Sequence, residues 1–155
     1  MRFGVGENDL ASMELREPGI TVARQVARLQ PYADALRAAL MAAASENGFI
    51  RVFGKAEPCI TIGRSDPDSP RQVELSVVTG DDGTPDACSS LKVTLKATPT
   101  SLLLSGNVYI TSLGEDPIMV CALGDCTPDE ATHSVMDAVA EHILANNTGS
   151  PLRPF

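Results

Sequence analysis

The residue types best suited to catalysis stand together just before the last helix that the sequence predicts. Cys126 comes one residue before Thr127, the predicted N-cap of that helix, and the dipole at a helix N-terminus lowers the pKa of a thiol. Asp125 is adjacent and His133 lies about two turns along the helix, so the types needed for a nucleophilic Cys–His–Asp set are present. Helix rise, however, separates Cys126 from His133 by about 10 Å, too far for a hydrogen bond. We therefore keep an enzyme centred on Cys126 as an alternative and predict no catalytic residue.

Metal binding is the second kind of chemistry that the residue types allow. Cys121, Cys126 and His133 are zinc-ligand types, and Cys59 would have to complete the set. Structural zinc sites usually present two tight pairs of ligands, which the sequence does not supply. Two aspartate-rich loops could bind calcium, but neither follows the calcium-loop pattern, and turns recruit aspartate for backbone reasons. Because nucleotide-binding and hydrolase motifs are also missing, we predict no metal and no cofactor. The loop aspartates are Asp66, Asp68, Asp81, Asp82 and Asp86.

The four cysteines predict a reducing compartment. Their spacing matches no disulfide framework, and in a chain of 155 residues with its own core the expected state is a buried, reduced thiol. The first residues lack the charged and apolar regions of a secretory signal, and no apolar run approaches the roughly 18 residues that cross a bilayer. We therefore expect a cytoplasmic protein, or one incorporated into a particle assembled in the cytoplasm. The cysteines are Cys59, Cys88, Cys121 and Cys126.

The net charge of −8 is unevenly distributed along the chain. No lysine or arginine occurs between Lys96 and Arg153, whereas seven acidic residues do. Affinity for nucleic acid depends on basic groups that neutralise phosphates, so this pattern disfavours nucleic acid and anionic membranes as partners. The acidic residues of the stretch are Glu115, Asp116, Asp125, Asp129, Glu130, Asp137 and Glu141.

Two stretches carry the apolar periodicity of a helix. From Val22 to Ala43 apolar residues recur three and four positions apart, and the phase continues across Pro31, which predicts one long, kinked helix. Asn47-Gly48 is a typical helix end. The capping box Thr127-Pro128-Asp129-Glu130 begins a second helix, which is predicted to end at Asn146.

Between the helices the period of the apolar pattern falls to two, which is typical of strands. Val73–Val77 and Leu91–Ala97 alternate apolar with polar residues, so each strand should have one solvent-exposed face. Gly106 suggests a bulge, and the uninterrupted apolar run Ile118–Leu123 predicts a central strand. The predicted strands are Phe49–Phe53, Cys59–Gly63, Val73–Val77, Leu91–Ala97, Leu102–Thr111 and Ile118–Leu123.

These elements predict an α+β fold, a two-layer sandwich. An antiparallel meander of about six strands is flanked by a long N-terminal helix and a C-terminal helix, with both helices on one face. Short connections favour antiparallel neighbours, because parallel strands need long crossovers. Residues 1–18 are predicted to form an N-terminal arm, residues 19–147 a single domain and residues 148–155 a C-terminal tail.

The missing chemistry favours a non-catalytic role as an assembly or structural subunit of a larger complex, for example a component of a phage-like particle. The arm and the tail are predicted contact segments, because ordering them costs about 1–2 kcal/mol of backbone entropy per residue, which contacts must offset. We expect protein partners in a homo-oligomer or multi-subunit complex, in which the stripe of the long helix either packs on the core or meets another chain. The helix–meander–helix order and the acidity resemble type III secretion chaperones at the level of class, so a small acidic adaptor or secretion-type chaperone is the alternative. The residues predicted to bind partners are Phe3, Arg24, Arg28, Leu152 and Phe155.

Overall fold

The computed structural model describes residues 21–54, 57–66, 69–80 and 89–148 of the chain. The predicted α+β layout is confirmed, with five strands rather than about six. The predicted N-terminal arm and all but the first residue of the predicted tail lie outside the described residues. The elements are α1 (Val22–Ala43), α2 (Asn47–Phe53), β1 (Cys59–Asp66), β2 (Ser69–Thr79), β3 (Ser89–Ala97), β4 (Leu104–Ser112), β5 (Ile118–Leu123) and α3 (Pro128–Thr148).

The strands form one antiparallel meander in the order β1-β2-β3-β4-β5. In β3 the residues Leu91, Val93 and Leu95 are fully buried, whereas Lys92 and Lys96 between them are exposed. This alternation is the one predicted from the sequence, because successive side chains of a strand point to opposite faces. The sheet therefore has a buried face toward the helices and an open face.

The helices cover the buried face, and α1 supplies much of the core. The stripe of Leu29, Leu36 and Leu40 is buried, so this helix packs on its own sheet. Pro31 lies inside a continuous α1, which confirms one helix across the proline. Gln25 is also buried, and its side-chain Oε1 accepts a hydrogen bond from the Val73 amide of β2 at 3.0 Å. This bond fixes α1 on the sheet because an unsatisfied buried amide group is costly.

The prediction of a strand at Phe49–Phe53 is wrong, because this segment belongs to α2. Phe49, Val52 and Phe53 are all buried, and their spacing of three and four residues is that of one helix face. Over five residues an apolar run does not distinguish a strand from a buried helix. Asn47-Gly48, predicted as a helix end, instead begins this helix, and α1 ends at Ala43.

Two further strand predictions are corrected by the sheet. The apolar strand β5 is an edge strand, not a central one. The register shift in the β4–β5 pair falls between Val108 and Tyr109, not at Gly106. A Cβ atom at Gly106 would lie 2.0 Å from the Thr94 carbonyl oxygen and 2.9 Å from the Leu95 Cα of β3. The glycine is therefore needed for close approach of two backbones rather than for a bulge.

The capping box at the start of α3 is confirmed. Thr127 Oγ1 accepts from the Glu130 amide at 3.1 Å, and Glu130 Oε1 accepts from the Thr127 amide at 2.9 Å. These reciprocal bonds satisfy two of the amides that a helix start leaves open. They place Cys126 and Asp125 in the short connection between β5 and α3.

Candidate functional site

Cys126 is a half-buried thiol whose surroundings oppose ionisation. Burial raises the pKa of Cys126, the carboxylates of Glu130 and Asp125 raise it further, and only Arg28 acts in the opposite direction. The expectation that the helix dipole lowers this pKa is therefore wrong. A nucleophilic cysteine needs its thiolate form, which this environment disfavours.

Asp125 and Arg28 join the β5–α3 connection to α1. Arg28 Nη2 donates to Asp125 Oδ1 at 3.4 Å, and the same oxygen accepts from the Leu104 amide at 3.3 Å. Arg28 Nη1 also donates to Tyr32 Oη at 2.6 Å, and Tyr32 Oη donates to the Cys126 carbonyl oxygen. These contacts give Asp125 a structural role and hold Cys126 through its backbone rather than its sulfur.

His133 points away from the thiol that it was considered to activate. Its side chain is 79% exposed, and Nε2 lies 3.2 Å from Asp137 Oδ2, one turn farther along α3. Within the described residues no hydrogen bond joins His133 to Cys126, and no three metal-ligating side chains converge. The structure thus brings together neither the Cys–His–Asp set nor the zinc set considered from the sequence.

The other cysteines also depart from the expected burial. Cys59 is exposed on the edge strand β1, and Cys121 is half-buried on β5. Both are free thiols, as is Cys126, whereas Cys88 lies outside the described residues. The prediction of buried thiols is therefore wrong for Cys59, because β1 leaves one of its faces open to solvent.

A serine–histidine pair among the described residues is a chemically suggestive contact that the sequence did not reveal. Ser89 Oγ lies 3.0 Å from His142 Nε2, and the His142 ring packs 5.7 Å from that of Phe53. The two residues are 53 positions apart, so no local motif could have indicated them. Such a pair is what base-activated nucleophiles use, but Ser89 is only 5% exposed and is closed to a substrate. The contact ties α3 to the sheet.

Only two of the residues predicted to bind partners fall in the described part of the chain. Arg24 is exposed in the first turn of α1, and Arg28 is half-exposed and engaged with Asp125 and Tyr32. Phe3, Leu152 and Phe155 lie outside the described residues. Partner binding by all five stays a prediction.

The most conspicuous surface feature is the edge strand β5. Ile118 is 58% exposed, Met119 53% and Val120 44%, and none of the six residues of the strand is charged. β4 pairs with one side of β5, and no described strand pairs with the other side. Unpaired backbone groups of an edge are a template for another chain, and proteins usually protect them with charges or proline. The register shift opposite Val120 twists this edge but places no charge on it.

The opposite edge of the same sheet carries that protection. β1 exposes Thr61, Gly63 and Arg64, and its pairing with β2 is irregular between Arg64 and Asp66. Both edges have an irregular register, but of the two described edge strands β1 alone exposes a charge, which discourages edge-to-edge association. The two edges therefore differ in exposed charge, and the uncharged edge strand β5 is the candidate interaction site.

The open face of the sheet is a second, polar surface. It forms a concave region of about 690 Å³ between the strands β2 to β5. Its floor carries the exposed side chains of Lys92 and Lys96 and the half-exposed Thr94, Asn107 and Tyr109. No helix of the described chain covers this face. It is therefore accessible to a ligand or a partner.

Comparisons with known proteins identify no relative of this chain. No protein-family model matches the chain, and no curated protein or solved structure is detectably similar to it. Among the helices of the described ranges, none has the length and apolar character needed to span a bilayer.

Proposed function

We propose that this chain is a non-catalytic subunit of a protein assembly and that it joins a second copy of itself through β5. The observation that carries the proposal is the contrast between the two sheet edges. β5 exposes Ile118, Met119 and Val120 without a charge, whereas β1 exposes Arg64. An apolar edge without a charge is an aggregation hazard unless a specific partner covers it.

A second copy fits this edge by symmetry. Two β5 strands related by a two-fold axis pair antiparallel, and the self-complementary patch is the same on both subunits. Like charges directly opposite one another destabilise strand pairs, and the run Ile118–Leu123 contains none. Asp125, just beyond the strand, is balanced by its salt bridge with Arg28. Pairing of this kind joins the two sheets into one continuous sheet.

Such a dimer would belong to a larger complex. Such a dimer would be the building unit of a cytoplasmic complex or of a particle assembled there, as in a phage-like particle. The free thiols of Cys59, Cys121 and Cys126 support a reducing compartment. The raised pKa of Cys126 weighs against the alternative of an enzyme centred on this thiol.

An adaptor that binds a different protein at the same edge is the second candidate. Strand addition relies on main-chain hydrogen bonds and accepts any extended segment with suitable side chains. Glu115 and Asp116 lie exposed in the turn that precedes β5, so a foreign segment with basic flanking residues would gain complementary charge. This candidate predicts a monomer that pairs with such a segment.

The mass of the protein in solution tests the proposal. Met119→Lys places a charge on the uncharged edge of both copies, so light scattering after size exclusion should show a mass lower than that of the wild type. Leu113→Lys is the matched control, because Leu113 is 83% exposed in the turn before β5 and gains the same charge outside the strand. That variant should keep the wild-type mass. A monomeric wild-type chain, or equal masses for the two variants, overturns the proposal.

A further inference from the structure

We propose that the open face of the sheet is the docking surface for the acidic helix α3 of another copy of this chain. The inference rests on the self-association proposed above and adds a second, head-to-tail contact to the β5 dimer. The chain has a net charge of −8 and contains three lysines. Two of them, Lys92 and Lys96, are exposed on the open face of the sheet.

The two lysines are placed to receive carboxylates. Both lie on β3, the middle strand of the sheet, and four residues of strand separate them by about 13 Å. Glu74 of β2 is the register partner of Lys96, yet neither lysine forms a salt bridge within the described part of the chain. The ammonium groups are therefore available to an outside partner.

The surface between the lysines has the shape that a helix needs. Thr94 lies between them on β3, with Ser76 and Asn107 opposite it on the neighbouring strands. Thr94 and Asn107 belong to the floor of the concave region of about 690 Å³, and Tyr109 stands at one end, opposite Lys92. A shallow polar trough with an aromatic side chain and two cations can accept a helix that presents acidic residues.

The helix α3 presents such a face. Glu130, Asp137 and Glu141 are exposed, and separations of seven and four residues return to the same side of a helix. Their spacing along the axis is about 10 Å and about 6 Å, within reach of two long lysine side chains about 13 Å apart. Ala131 and Val135 of the same helix are fully buried against the core. The acidic side of α3 therefore faces away from its own sheet.

The geometry excludes this contact within one molecule. α3 packs on the covered side of the sheet with α1, whereas Lys92 and Lys96 stand on the opposite side. A contact between two different patches of identical chains is heterologous, and it produces a ring when the rotation closes and a filament when it does not. Combined with pairing through β5, it extends a dimer into a larger assembly.

Charge exchange tests the contact directly. Lys92→Glu/Lys96→Glu and Asp137→Lys/Glu141→Lys each place like charges across it, so each variant alone should lose assembly beyond the β5 dimer. In an equimolar mixture, the acidic sheet face of the first variant meets the basic helix of the second, and the basic sheet face of the second meets the acidic helix of the first. Light scattering should show the higher mass restored in the mixture. Assembly of either variant at the wild-type mass, or a mixture that stays dimeric, overturns the inference.

Salt and a charge-matched control complete the test. The electrostatic screening length falls from about 10 Å at about 0.1 M salt to about 3 Å at about 1 M salt. The wild-type assembly should therefore dissociate to the β5 dimer in about 1 M salt. Arg37→Glu/Arg51→Glu changes the net charge by the same amount at exposed positions of α1 and α2 and should leave the assembly intact.

The two proposals fail separately in this experiment. A dimer whose mass does not depend on salt, and which Met119→Lys splits, overturns only the head-to-tail contact. Salt-sensitive assembly that persists unchanged in Met119→Lys overturns only the β5 contact. A wild-type chain with the mass of one copy at both salt concentrations overturns both.

Discussion

His142 gives the domain a pH dependence that belongs to one residue. Burial lowers the pKa of His142 below its ordinary value, because the charged imidazolium loses hydration beside Ser89 and Phe53. The unfolded chain, with an ordinary histidine pKa of about 6.5, therefore binds this proton more readily than the folded chain does. Stability from this group is complete above about pH 6.5 and is lost as the pH falls through the lowered folded-state pKa.

Denaturant unfolding at a series of pH values tests this account. His142→Gln keeps a polar partner for Ser89 and removes the titration, so its free energy of unfolding should fall less steeply between about pH 7 and pH 5 than that of the wild type. His133→Gln is the control for the loss of an exposed histidine, because the His133 side chain is 79% exposed. Parallel curves for His142→Gln and the wild type would contradict the burial argument.

Functional chemistry at the residue scale was only partly predictable. Asp125, Cys126 and His133 are neighbours in the sequence, yet the structure uses them for a link to Arg28, a backbone contact and an exposed pair with Asp137. Sequence proximity shows which residue types are near one another, but a site also depends on side-chain direction and burial. The pair Ser89–His142 arises from the fold alone and has no signal in the sequence.

At the scale of the elements, the approach of β4 to β3 depends on Gly106. Gly106→Ala should lower the free energy of unfolding by about 1–3 kcal/mol, because the new methyl group would collide with the β3 backbone near Thr94 and the strand would have to shift. Gly63→Ala is the matched control, since a Cβ at Gly63 of β1 meets nothing within 4 Å. That substitution should change stability by less than about 0.5 kcal/mol. Equal losses in thermal unfolding would show that crowding at Gly106 is unimportant.

The elements that the sequence predicted well are those with long or redundant signals. The stripe of α1 continues through Pro31 over 22 residues, and the capping box at Thr127 marks the start of α3 to the residue. The errors fall on short apolar runs. Phe49–Phe53 fits both periods because it is five residues long, and Ile118–Leu123, although apolar throughout, is an exposed edge rather than a buried centre.

At the scale of the whole molecule, the position of β5 bears on function, because an edge strand stands where the sequence predicted a central one. A continuous apolar strand usually lies in the middle of a sheet, buried on both faces. β5 has this composition at an edge, with Ile118, Met119 and Val120 in contact with solvent. Pairing through this edge would make β5 an interior strand of a larger sheet. The apolar composition of β5 would then match an interior position, which the strand has in the assembly and not in the single chain.

Amide hydrogen exchange as a function of protein concentration is the most direct measurement of this central claim. If β5 pairs with a second copy, its backbone amides gain hydrogen bonds, so exchange in residues 118–123 should slow as the concentration rises through the dimer dissociation constant. Residues 59–64 of β1 form the other edge of the same sheet and serve as the internal control, with a rate that should not depend on concentration. Protection confined to β5 is the result that the account predicts. Exchange in β5 that is independent of concentration, or equal slowing at both edges, would contradict it.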